Sequence, residues 1–147
     1  MTDINEALLG AWLRLSTSVI NSRLVTEMSF NESLVCNILY RNQIEHPEKK
    51  ITATELCNVT KILKSQMNRI LNQLEKKAII IRERSEEDKR QVYVKMDLPH
   101  ADIYRKQHEK ILEIVDEVIF RLGEEKAIET INILTRVSEI TDELLEY

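Results

Sequence analysis

A chain of 147 residues, with 43% hydrophobic and 31% charged side chains, is long enough to bury an apolar core and too hydrophobic to stay disordered. Its purely apolar runs are only a few residues long, which excludes a membrane-spanning helix, and the opening MTDINEALLG lacks the basic stretch and apolar core of a secretion signal. The formal net charge of −4 conceals an asymmetry: residues 51–96 hold ten Lys/Arg against six Asp/Glu, residues 1–50 five against six, and residues 97–147 six against thirteen. A basic middle between neutral and acidic flanks fits a local polyanion contact, although uneven surface charge of no consequence reads the same way.

With only two Gly and two Pro the chain is expected to be largely helical. Residues 4–26 read as a first helix, because Ile4, Leu8, Ala11, Trp12, Leu15 and Val19 recur at three- and four-residue spacing. Ser29 with Glu32 forms a capping-box pattern opening a second helix, whose stripe is Phe30, Leu34, Val35, Ile38 and Leu39 and which Pro47 ends. The same start signal recurs at Thr52 with Glu55 and opens a short third helix through Leu56 and Val59.

The fourth helix, LKSQMNRILNQLEKK at residues 63–77, places Met67, Ile70, Leu71 and Leu74 on one face, toward the core. Its other face is Lys64, Ser65, Gln66, Asn68, Arg69, Asn72 and Gln73, polar and basic without an acid. Exposed helix faces ordinarily mix Glu with Lys for i,i+4 pairing. Amides, hydroxyls and cations are instead the groups that read base edges and hold phosphates. AIIIRER and QVYVKM then read as two strands, with SEEDK between them as a protruding loop lacking a tight-turn signal. Two short helices followed by a hairpin make a helix-turn-helix with an appended ribbon.

Asp97 and Pro99 mark another helix start, and Tyr104, His108, Ile111, Val115, Val118 and Leu122 form a heptad-like seam closed by Gly123. A last helix spans about Glu124 to Glu146, with Ile128, Ile131, Leu134, Val137, Ile140 and Leu144 on its stripe. A small lobe cannot cover all these apolar faces, so the long terminal helices are expected to interlock with those of a second copy; packing on their own lobe is the alternative.

The order of helices and the segment ITATELCNVTKILKSQMNRILNQLEKKAIIIRERSEEDKRQVYVKM resemble the MarR family of bacterial transcriptional regulators. The specific features are a Thr-initiated helix with Glu-Leu, a Ser-containing recognition helix ending Leu-Glu-Lys-Lys, an Ile/Arg strand, and Asp88-Lys89-Arg90 between the strands. The fold expected is mainly α with a small β-hairpin wing: a single domain over 1–147, with a winged helix-turn-helix DNA-binding lobe at 29–97 and a helical dimerisation lobe from 1–28 and 98–147.

The resemblance implies a cytoplasmic homodimer, probing double-stranded DNA at a near-palindromic operator, acting as a repressor and released in many relatives by a small-molecule effector. Lys64, Ser65, Gln66, Asn68, Arg69 and Asn72 are the expected recognition-helix contacts. Arg82, Arg84, Asp88, Lys89 and Arg90 are the expected wing residues, with Arg90 in or beside the minor groove, Asp88 holding the charge network, and Arg82 and Arg84 on phosphates or wing acids. Two departures stand out: Lys77-Ala78 where the family usually has Gly, and Met96-Asp97-Leu98-Pro99-His100 in place of a Gly-containing hinge.

Other readings carry less. His108 has Tyr104 at i−4 where the family's zinc-responsive branch pairs histidines, so packing or a dimer-face hydrogen bond is expected and no metal. Cys36 and Cys57, outside the first helix that thiol-sensing relatives use, read as small buried hydrophobes. Trp12 and Tyr40 read as core, with the lining of an effector pocket between lobes as the alternative. No nucleophile–base pair or Gly-rich phosphate loop suggests an enzyme or a cofactor. The alternatives to a DNA reader are a winged-helix protein-interaction module and a metal or redox sensor on the same fold.

Overall fold

The computed structural model describes residues 3–20 and 28–145. The first helix, α1, runs Ile4–Ile20; its expected continuation to residue 26 lies outside the described residues. Helix α2 (Phe30–Glu45) opens on the capping box read from the sequence: the Glu32 amide donates to Ser29 Oγ at 3.1 Å, and the Ser29 amide donates to Glu32 Oε1 at 3.4 Å. A short strand, β1 (Ile51–Thr52), precedes α3 (Ala53–Thr60), whose Glu55 amide donates to the Thr52 cap at 3.1 Å. Then come α4 (Lys64–Lys76), β2 (Ile80–Arg84) and β3 (Val92–Met96). The expected helix start at Asp97 and Pro99 is first a 3₁₀ turn, Leu98–His100, before α5 (Asp102–Leu122); Gly123, at φ +87°, separates α5 from α6 (Glu124–Leu145).

The sheet is antiparallel in the order β1-β3-β2, with Ile51 opposite Val94 and Ile80 opposite Met96. Because β1 is only two residues long, it leaves part of the β3 edge uncovered. The Gln43 side chain takes that place: its Oε1 accepts from the Met96 amide at 2.9 Å and its Nε2 donates to the Met96 carbonyl at 3.4 Å.

One core joins α2, α3, α4 and the sheet. Val35, Cys36 and Leu39 of α2 meet Leu56 of α3, Met67, Leu71 and Leu74 of α4, and Ile79, Ile80, Val94 and Met96 of the hairpin. Phe30, expected on the α2 stripe, is exposed, because as the first helical residue it precedes the turn that packs. The core extends into the start of α5 through Ala101 and Tyr104, whose ring lies 5.5 Å from that of Tyr40. The chain divides into compact units at residues 1–107 and 108–147, with the first turns of α5 in the first of them.

Helix α4 ends in a Schellman motif: the Ile79 amide donates to the Leu74 carbonyl and the Ala78 amide to the Glu75 carbonyl, each at 3.0 Å. Ala78 adopts φ +59° to make it. The turn is therefore built in the left-handed form despite the missing Gly, and alanine carries the steric strain. Ala78→Gly is expected to stabilise the protein by about 1 kcal/mol, read as a higher urea midpoint with an unchanged slope. Leu71→Ala, which empties a fully buried site between α2 and the hairpin, is expected to cost about 2–5 kcal/mol in the same titration.

Candidate nucleic-acid interface

Helix α4 buries Met67, Ile70, Leu71 and Leu74, which fixes its rotation and turns Lys64, Ser65, Gln66, Asn68, Arg69, Asn72 and Gln73 to the exposed side. Among the described residues, the side chains of Lys64, Ser65, Gln66, Asn68 and Arg69 have no intramolecular hydrogen bond or ion pair. They form a stripe of unsatisfied donors and amides whose chain-internal competition is nil.

Asn72 differs. Its Oδ1 accepts from Arg82 Nη2 at 2.6 Å, and the same guanidinium grips Glu75 through Nη2 at 2.9 Å and Nε at 3.2 Å. Arg82 shares the face of Ile80, two residues earlier on β2, so strand periodicity aims it at α4 and leaves it partly buried. Its Nε and Nη2 are engaged within the chain, by partners other than the phosphate or wing acids expected from the sequence; it ties strand to helix and neutralises Glu75, the one acid in α4. The Arg82 hydrogen bond, assisted by its charge, holds the Glu75 carboxyl below its ordinary range.

The wing proper is residues 85–91. Ser85 is buried, and its Oγ accepts from the Asp88 amide at 3.2 Å. The Asp88 carboxylate accepts from the Arg90 amide at 3.1 Å and from Arg90 Nε at 3.3 Å. One oxygen thus anchors both the backbone and the side chain of Arg90, whose side chain is 93% exposed. The other guanidinium donors remain available at the tip. Lys89 and Arg84 are exposed beside it, while Glu83 is taken by Lys95 at 3.4 Å.

The remaining candidates are structural. Cys36 is fully buried and its thiol is pushed up to about 12, by desolvation first and by nearby Glu32 second. That holds it as an unreactive thiol at neutral pH, and Cys57 packs against the same core. Tyr40 packs there too, but Trp12 is 48% exposed on α1 and is not a core residue. Among the described residues no group of three His, Cys, Asp or Glu side chains is placed to hold a metal ion.

Two features escaped sequence reasoning. The Arg82–Glu75 pair joins a helix to a strand at a separation of seven, which carries no periodic signature. Lys61 closes α3 in the left-handed region at φ +63°, a position where the sequence shows neither Gly nor Asn.

A helix-turn-helix followed by a braced, basic two-stranded tip defines a winged helix-turn-helix protein. Within that class, residues 43–91 match the sequence pattern of the MarR family. The HTH-type transcriptional regulator FarR of Neisseria gonorrhoeae is 30% identical over 90 residues, 61% of this chain and 62% of FarR, so the match spans less than two thirds of that relative. The crystal structure of S. aureus MepR in its DNA-binding conformation superposes with a TM-score of 0.71 at 13% identity, over 94% of this chain and 98% of MepR. Streptococcus pneumoniae FabT, crystallised in complex with DNA, gives 0.67 at 22% identity over 96% of each chain. These two structural likenesses bear on the fold.

The depressed Glu75 carboxyl gives a pH signature. A carboxyl lowered in the folded state adds stability above its unfolded pKa and loses it as pH falls through the folded value. Glu75→Gln is therefore expected to lower the urea midpoint slightly at pH 7, with the difference from wild type closing as pH drops below the ordinary carboxylate range. A gap that persists unchanged in acid would show that the carboxylate is not what Arg82 engages.

Proposed function

We propose that this protein is a DNA-binding transcriptional regulator that acts as a homodimer on a near-palindromic operator, as a repressor and not as an enzyme. The observation that carries this reading is the outer face of α4: five exposed, unengaged polar or basic side chains, held outward by four buried ones, beside a tip whose Arg90 is braced but open. FarR, a transcriptional regulator, and FabT, seen on DNA, support it.

Residues 29–97 supply the reading lobe. Gln66 and Asn68 present amides to base edges, Lys64, Ser65 and Arg69 grip phosphate or guanine, and Arg90 enters the flanking minor groove, where a narrow groove concentrates negative potential. Asn72 and Arg82 act one step back, setting the angle of β2 on α4, and Asp88 aims Arg90. Lys89 and Arg84 add cations at the tip.

Residues 1–28 and 98–147 are assigned to dimerisation. Apolar side chains there stand in water: Ile4 is 84% exposed, Phe120 82% and Leu144 78%. Such faces are covered in stable soluble proteins, and a second copy supplies the matching faces. A small-molecule effector acts on the same equilibrium, releasing DNA by binding better to a dimer whose reading helices are wrongly spaced. No helix among the described residues is long and apolar enough to cross a membrane, and a regulator of this bacterial type works in the cytoplasm, where the DNA is.

The test is binding of the purified protein to duplexes selected from its source genome, followed by anisotropy at several salt concentrations. Arg90→Ala and Arg69→Ala are each expected to weaken binding, and where the lost contact is to phosphate, to reduce the salt slope by about 1 per protomer. A wild-type protein that binds no duplex at low salt overturns the reading in favour of a protein-interaction module. In the dimer the two α4 helices are expected about 34–36 Å apart, one duplex turn, which spin-label distances between Gln73→Cys sites would check.

A further inference from the structure

Helices α2 and α3 open on polar caps, Ser29 and Thr52, whose side-chain oxygens accept helix amides. Helix α4 does not. Its N-cap is Leu63, with no side-chain cap hydrogen bond, and that leucine is 72% exposed. Leucine here gives up a helix cap and puts a large apolar side chain into water, two local disadvantages at one position. Single exposed leucines are ordinary on protein surfaces, but this one replaces the residue types the position favours, and such conflicts are expected where function overrides folding.

The position is also rigid. Thr60 Oγ1 donates to the Leu56 carbonyl at 2.6 Å and accepts from the Ile62 amide at 3.3 Å; Lys61 makes the left-handed turn; Ile62 packs on the core. The Leu63 carbonyl accepts the first α4 bond, from the Met67 amide at 2.8 Å. The side chain is thus presented from a fixed backbone, next to Lys64, Ser65 and Gln66, as an apolar spot at the head of a polar face.

On the proposed function, that head faces the major groove. The apolar group on a major-groove base edge is the thymine C5-methyl. We infer that Leu63 is a specificity-determining residue that packs against a thymine methyl in each half-site. It contributes discrimination where its neighbours contribute hydrogen bonds and charge, and the lost cap is the stability given up for it.

The test uses the full-length protein and a duplex enriched from a random-sequence pool on the wild type. Each thymine of that duplex is replaced in turn by deoxyuridine, which keeps base pairing and removes only the methyl. At one position per half-site the replacement is expected to weaken wild-type binding about fourfold, the worth of one buried methyl. Leu63→Ser, which restores a cap, is expected to unfold at an equal or higher temperature, to keep the wild-type salt slope, and to be indifferent to uridine at that position. Wild-type binding that no uridine replacement changes, or a Leu63→Ser variant with undiminished sensitivity, overturns the inference while leaving DNA reading intact. Failure of the wild type to enrich or bind any duplex overturns both.

Discussion

The two-faced burial of α4 governs most of what this molecule presents. Met67, Ile70, Leu71 and Leu74 each remove an apolar side chain from water, worth about 1.5–3 kcal/mol apiece. Turning the helix by a single residue would expose three of these four and drive Asn68 or Arg69 into the core, at a cost no local hydrogen bond offsets. The rotation is therefore set by the core, and the outward stripe follows from it. The hairpin depends on the same helix, since Ile79 and Ile80 continue its core, and Arg82 anchors β2 to Glu75 and Asn72.

Three of the six acids in the basic middle segment serve as orienting partners. Glu75 fixes Arg82, Asp88 fixes Arg90, and Glu83 pairs with Lys95. Exposed pairs of this kind add little stability. Their value lies in direction: each holds a long cation in one geometry, so that less conformational freedom is lost when Arg90 meets an anion. A net charge of −4 is thus no obstacle to binding a polyanion, because screening confines the relevant field to the nearest charges.

Reading the sequence succeeded where one periodicity or one local motif carried the signal. The buried and exposed faces of α4, the Ser29 and Thr52 caps, both hairpin strands and the Gly123 break all appear where spacing placed them. It failed where a partner lay across the fold. Arg82 looked like one more surface cation, because nothing in RERSEEDKR marks which face of the strand packs on α4. Strand β1 is too short to show alternation, and Trp12 has the composition of a core residue while standing exposed on α1. Ala78 shows the opposite case: alanine disfavours the left-handed region, and the Schellman hydrogen bonds together with the burial of Ile79 hold it there.

The linear order of residues determined the helices, their caps, the polar stripe and the existence of a basic hairpin, because these depend on neighbours within four or five positions. Which cations remain available was decided only by tertiary packing. Arg82 and Arg90 sit eight residues apart in one basic stretch, yet one is folded back on α4 and the other is held out at the tip. The difference arises from strand register and from the position of Glu75 on a separate element, and pairing between elements is not written in local spacing.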